Sequence, residues 1–214
     1  MYCLDISARG ASVDRVVVVA PLAEWVEAYT VARRRAYSRY NVTIVLDTLE
    51  EQAARASRVA LVLGLKGRTI LSGVSVHRAR MLKGIDLPSA VMLHGLGMQW
   101  SALTPGSVEL SGTMRARGAS GRDVDVMLEV AIAAIPFFGA DAVGTAPPHM
   151  VRRYNELGFA ASPHLPAFEY PAGMMTTPMV CWDPIRLPVA AEPFRDRILA
   201  ARERFEVWLP EELV

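Results

Sequence analysis

The chain has 214 residues, 52% apolar and 21% charged, which is enough apolar chain for one domain around a buried core and excludes general disorder. With 23 Lys and Arg against 22 Asp and Glu the net charge is +1, which gives no support for a protein that coats nucleic acid. Cys3 and Cys181 build no disulfide framework and lack zinc-site spacing, so a reduced cytoplasm is expected; no apolar run approaches the roughly 18 residues of a membrane span, and Met1 to Gly10 has no signal-peptide core.

In chain order, the β-branched run Val16 to Ala20 reads as a strand that Pro21 ends. Leu22 to Tyr40 carries Leu22, Trp25, Val26, Tyr29 and Ala36-Tyr37 at helical spacing, with Arg33, Arg34, Arg35 and Arg39 crowded late, where cations suit the helix dipole. Leu49 to Ala56 is a short helix or loop. Arg58 to Leu65 and Thr69 to Arg78, joined at Gly67-Arg68, predict a β-hairpin. Pro88 to Trp100 is apolar but interrupted by Gly95 and Gly97, and its pattern assigns no element. Ser107 to Arg115 reads as a strand after the turn at Thr104-Pro105-Gly106.

A basic, Gly-containing loop follows, Arg117-Gly118-Ala119-Ser120-Gly121-Arg122. Asp123 to Phe138 then shows an apolar stripe of period 3.6 through Val124, Met127, Leu128, Ala131 and Ile135. Asp141 to Thr145 is a short strand, and His149 to Leu157 is a helix closed by Gly158. Two short strands around Phe168 to Tyr170 and Met179 to Trp182 flank the turn Pro171-Ala172-Gly173. A last helix spans about Pro193 to Leu209, with Phe194, Ile198, Ala201, Phe205 and Trp208 on one face. The order suits a mixed α/β sheet with helices on its faces.

Two stretches carry a resemblance. Arg115-Ala116-Arg117-Gly118-Ala119-Ser120 matches the Arg and first Gly of a Q/R-x-x-G-x-G/A loop, with Ser120 replacing the final small residue. Tyr154-Asn155-Glu156-Leu157-Gly158-Phe159 fits every fixed position of Tyr-x-x-Leu-Gly-Phe. The chain thereby resembles the GNAT fold of acyl-CoA-dependent N-acyltransferases. Glu109-Leu110-Ser111, the Arg-rich first helix and the tail from Phe168 to Gly173 make it similar to the branch of N-acyl amino acid synthases and acyl-homoserine-lactone synthases. One departure stands out: Gly112 follows Glu-Leu-Ser where that branch usually has Arg.

The resemblance implies a mostly antiparallel sheet with helices on both faces and a splayed acyl-CoA cleft. It places an acyltransferase domain at residues 1–190, with the C-terminal amphipathic helix at 191–214. The implied activity moves an acyl group from acyl-CoA, or from the phosphopantetheine of an acyl carrier protein, to a small amine such as an amino acid. The alternatives are an autoinducer-type signal synthase using S-adenosylmethionine, or a binding protein of this fold with a decayed site.

Amine acylation from a thioester needs a held carrier, a stabilised oxyanion and moved protons. A carrier phosphate suits a helix N-terminus. Gly118, Ala119, Ser120 and Gly121 would let the backbone approach it, and Arg115, Arg117 and Arg122 would add charge; the plainer account is a solvated basic connection. By resemblance, Tyr154 is the acid that protonates the departing thiolate, against a helix Tyr packed on the sheet. Glu109 is the candidate base, against a strand Glu that faces solvent or pairs with an arginine. The four histidines show no metal-ligand spacing, so no metal is expected. The Met-rich stretches, Met92 to Met98 and Met174-Met175-Met179, suit either an acyl pocket or the core. The C-terminal stripe is expected to pack on its own sheet, with a homodimer as the alternative.

Overall fold

The computed structural model describes residues 2–5, 10–46, 48–81, 85–100, 103–169 and 175–206. Its sheet runs β1 (Tyr2–Asp5), β2 (Arg15–Val19), β3 (Arg58–Lys66), β4 (Thr69–Arg78), β5 (Val108–Arg115), β6 (Ala142–Ala146), β9 (Met175–Cys181) and β7 (Ala160–Ala161), with β8 (Phe168–Glu169) also paired to β9. Every pairing is antiparallel except β5 with β6. The hairpin of β3 and β4 turns at Gly67, whose φ of +56° is a conformation that glycine adopts without strain.

Strand alternation divides the core. Val16, Val18, Val62, Val74, Val76, Val108 and Leu110 point to one face and pack on α4 (Gly121–Phe138). Val17, Val19, Leu61, Leu63 and Leu65 point to the other and pack on α1 (Ala23–Tyr37). The α1 side also holds α2 (Leu49–Ser57) and α3 (Pro88–Gly95); the α4 side holds α5 (Pro148–Glu156) and α6 (Glu192–Glu206). The sheet is therefore mostly antiparallel with helices on both faces, as expected.

Three elements depart from the sequence reading. The unassigned Pro88–Trp100 stretch forms α3, which Pro88 begins at its first turn, where a missing N–H costs nothing. The strands β1 and β7 have too few residues to show a period. The turn at Pro171 to Gly173, Met174 and Trp208 lie outside the described residues.

The C-terminal helix packs on its own chain. Ile198 and Phe205 are buried against α4, with the Phe205 ring 6.0 Å from that of Phe137. Arg202 reaches back to the carbonyls of Pro184 and Ile185 and so ties the segment between β9 and α6 to the helix.

Candidate active site

The site forms where the sheet splits. β5 and β6 pair only through Val108–Ala142, Glu109–Val143 and Leu110–Gly144. Beyond Leu110, β5 continues to pair with β4 as far as Arg115, and β6 continues with β9 as far as Ala146. The two strands thus part after three residue pairs and open a V, with Ser111 to Arg115 on one arm.

The β5 arm carries a bulge. Ser75 pairs with Ser111 and Gly73 with Met114, so Gly112 and Thr113 together oppose Val74. Gly112 has φ +69°, and a Cβ there would lie 2.6 Å from the Tyr29 hydroxyl and 2.8 Å from Arg33 Nη1. A side chain at that position would be strained and crowded, so glycine suits the place where the resemblance led one to expect Arg. Tyr29 Oη donates to the Gly112 carbonyl at 2.6 Å and Tyr37 Oη to the Thr113 carbonyl at 2.9 Å. A trans peptide carries its C=O and N–H on opposite sides, so the Thr113 N–H is turned away from Tyr29.

Tyr154 sits at the mouth of the V on the α4 side. It is 3% exposed, and its hydroxyl is 3.3 Å from Thr113 Oγ1. Its ring meets Phe159 edge-on at 5.5 Å. Burial pushes the phenol above its ordinary pKa, with the Thr113 hydroxyl pulling the other way, so it is a protonated donor at neutral pH. The Tyr-x-x-Leu-Gly-Phe motif has a structural meaning here. Phe159 N–H donates to the Tyr154 carbonyl at 2.9 Å and Gly158 N–H to that of Asn155 at 3.1 Å, while Gly158 takes φ +100°. This is a Schellman stop with the Tyr154–Phe159 contact across it, and it fixes where α5 ends and how Tyr154 is aimed.

Glu109 lies at the vertex on the opposite face. It neither faces solvent nor pairs with an arginine; it is 3% exposed and caps α3. Its Oε2 accepts from Ser89 N–H at 3.0 Å and from Ser89 Oγ at 2.9 Å, and Trp100 Nε1 donates to Ser89 Oγ at 3.1 Å. Burial pushes its pKa up to about 7, against the pull of the Ser89 and Ser111 donors. It is thus poised to exchange a proton near neutrality.

The β5–α4 loop connects the V to the α4 N-terminus. Gly118 has φ +85°, and a Cβ at Gly118 or Gly121 would meet nothing within 4 Å, so the loop surface is open. Not all the loop donors face outward. Ala119 N–H bonds to the Ala116 carbonyl, and Ser120 N–H to Asp123 Oδ2 at 2.6 Å. Ser120 and Asp123 form a capping box, and Ser12 and Val13 N–H also donate to Asp123. Burial raises the Asp123 pKa, but these donors outweigh it and hold the carboxyl below its usual range. The N–H groups of Gly121 and Arg122, in the first turn, have no intrahelical acceptor. Arg115 and Arg117 are exposed beside them. Arg122 instead turns along the helix to Glu129 at 2.9 Å.

The site residues expected from sequence therefore fall into two groups. Glu109, Tyr154, Gly118, Gly121, Arg115 and Arg117 surround the V and its loop. Ala119, Ser120 and Arg122 are engaged within the protein. Ser89, Trp100, Thr113 and Tyr29 shape the site without having been singled out; of the missed features, only Ser120-x-x-Asp123 had a sequence signature, that of a cap. Among the described residues, no group of three His, Cys, Asp or Glu side chains could hold a metal, and no helix is long and apolar enough to cross a membrane.

No protein-family model matches the chain, and no curated protein sequence does. Solved structures do. FeeM, an N-acyl amino acid synthase from uncultured soil microbes, superposes with a TM-score of 0.57 at 11% identity, over 79% of this chain and 96% of that one. BjaI, a CoA-dependent acyl-homoserine lactone synthase with SAM and isopentyl-CoA, gives 0.55 at 15% identity, over 90% and 99%. TofI, solved with an inhibitor and MTA, gives 0.54 at 17% identity, over 93% and 99%. The chain is similar in fold to these GNAT-type proteins.

Proposed function

We propose that the protein is an N-acyltransferase that moves an acyl group from acyl-CoA, or from acyl carrier protein phosphopantetheine, to a small amine of the amino-acid type. The observation that carries this reading is the parting of β5 from β6 after three pairs, with a raised-pKa carboxyl on one face of the vertex and a buried tyrosine on the other. A thioester lying through the V has Glu109 on its α3 side and Tyr154 on its α4 side. The carrier's phosphates meet the first-turn N–H groups of Gly121 and Arg122, the open surface at Gly118, and the Arg115 and Arg117 side chains. The similarity in fold to FeeM and BjaI supports the same reading.

The chemistry follows from these groups. The amine nitrogen attacks the thioester carbon, and the Thr113 N–H, turned from Tyr29, is a donor for the developing oxyanion. Glu109 as carboxylate takes one amine proton as the C–N bond forms. The C–S bond then breaks, and the thiolate takes the Tyr154 proton. Tyr154 is reprotonated through Thr113 Oγ1, and Glu109 returns its proton to solvent. The net change is amine plus thioester to amide plus thiol.

Mass-spectrometric assay of acyl-CoAs of two to twelve carbons with a panel of amino acids tests this reading, with calorimetric titration of each acyl-CoA. Binding without turnover on any amine indicates a binding protein with a decayed site, and consumption of S-adenosylmethionine indicates the signal-synthase alternative. No binding to any acyl-CoA or acyl carrier protein refutes the proposal.

A further inference from the structure

Two parts of the proposed chemistry meet in Thr113. Its N–H is the donor for the oxyanion, and its Oγ1 is 3.3 Å from the Tyr154 hydroxyl on the α4 side. Thr113 stands in the β5 bulge, where it and Gly112 together oppose Val74, so the β4 ladder does not hold its peptides as it holds those of a regular strand. They are held instead from the opposite face of the sheet. Tyr29 and Tyr37, both on α1, donate to two carbonyls in succession, Gly112 at 2.6 Å and Thr113 at 2.9 Å. In a regular strand successive carbonyls point to opposite neighbours; here one helix takes both. Tyr29 is 0% exposed, and a Cβ on Gly112 would lie 2.6 Å from its hydroxyl, so close packing as well as the hydrogen bond keeps that oxygen at the bulge. Each bond orients one peptide plane, because the C=O and N–H of a trans peptide are rigidly opposed. The Gly112–Thr113 plane carries the oxyanion donor. With the Thr113–Met114 plane also held, both backbone dihedrals of Thr113 are set, and with them the direction of its side chain.

We propose that Tyr29 and Tyr37 are positioning residues for acyl transfer: acting through the sheet from the α1 face, they aim the Thr113 N–H at the thioester carbonyl and Thr113 Oγ1 at Tyr154. This rests on the transferase reading above. Neither hydroxyl meets the substrate or gives up its proton in this role. Their contribution is preorganisation, since a peptide dipole aimed before the oxyanion forms needs no reorientation in the transition state. Without the hydroxyls the two carbonyls lose their donors, and the peptides turn to find others.

Tyr29→Phe and Tyr37→Phe each remove one oxygen and keep the ring. Tyr37 is partly buried, so its variant keeps the fold where the variant at the fully buried Tyr29 is at risk. Val26→Ala, which loosens the packing of α1 without removing a donor to the bulge, is the control for a merely structural effect. The readout is the infrared carbonyl band of acyl-CoA labelled with 13C at the thioester carbon. Bound to wild type, the band is expected below its position in water, because a fixed donor polarises the C=O. Either substitution moves the band back toward its free position and lowers kcat about tenfold while the acyl-CoA Kd stays unchanged; the double variant lowers kcat about 100-fold, the lower end of what loss of an oxyanion donor costs. Val26→Ala keeps the wild-type band. Loss of the band shift in the tyrosine variants supports the assignment even if no amine is acylated, in which case only the transferase reading fails. A wild-type band without a shift, a double variant that keeps the shift or the wild-type kcat, or a Val26→Ala protein that loses the shift equally overturns the positioning role even in an active enzyme. Acyl-CoA that does not bind wild type at all refutes the transferase reading and the positioning role with it.

Discussion

Replacing Glu109 by Gln separates burial from charge at the vertex of the cleft. The carboxyl moves from an ordinary value of 4.5 to about 7 on folding, chiefly through burial. The folded state therefore holds a proton that the unfolded chain has already lost between these values. Stability from this group is fully present below pH 4.5, declines as pH rises and levels off above pH 7. At about 1.4 kcal/mol per pH unit, the loss amounts to about 3 kcal/mol. Gln resembles the protonated acid: one oxygen still accepts from Ser89 N–H, and one group donates. Urea unfolding at pH 5, 6, 7 and 8 is the assay. The difference in slope between wild type and Glu109→Gln isolates this group from every other titration. Wild type is expected to lose about 2.5 kcal/mol more than the variant across that range, the rest of the loss falling below pH 5. In the acyl-transfer assay the variant loses the limb that rises through pH 7, because Gln accepts no proton. Equal pH dependence of stability in the two proteins refutes the raised pKa. A wild type whose Glu109 contribution grows with pH instead shows that the α3 N-terminus holds the charged form.

Tyr154→Phe removes one hydroxyl from a ring whose contact with Phe159 remains, so turnover falls about 10²-fold while the melting temperature stays nearly constant, as kinetics and calorimetry will show. Arg115→Glu with Arg117→Glu weakens acyl-CoA binding in calorimetric titration without loss of fold, because both side chains are exposed; Arg122→Glu instead costs stability, since it confronts Glu129. Ile198→Ala opens a cavity between α6 and α4 and costs about 2–5 kcal/mol in urea unfolding, and the elution volume is the same as that of wild type if α6 serves its own chain.

Elements with a period longer than one turn were legible from sequence. The α4 stripe, the β3–β4 hairpin and α5 with its Gly158 stop all announce themselves because packing on one face imposes spacing. The C-terminal stripe was expected on the chain's own sheet; Ile198 and Phe205 instead find α4 of the same chain, a surface that no local pattern specifies. α3 was hidden because nearly every side of it is apolar or small, from Pro88 to Leu93, so no face stands out. The site was legible in its chemistry-bearing residues and not in their supports. Glu109 and Tyr154 sit in motifs, but Ser89, Trp100 and Thr113 reach them across the fold. The loop showed the opposite limit. Arg122 lies in the same basic loop run as Arg117, yet α4 begins at Gly121, two residues before the expected start, and turns Arg122 toward Glu129.

The short β5–β6 ladder also makes the sheet a hinged object. Strands β1 to β5 form one plate and β6 to β9 another, joined through three residue pairs. α4 rides on the first plate and α5 on the second. Arg153 of α5 crosses between them, bound to Asp125 of α4 at 2.9 Å and stacked 4.8 Å over Phe194 of α6, which Arg197 also faces at 4.6 Å. Behind the cleft the two plates are thus held by the apolar core they share around α4 and clasped by the Arg153–Asp125 ion pair.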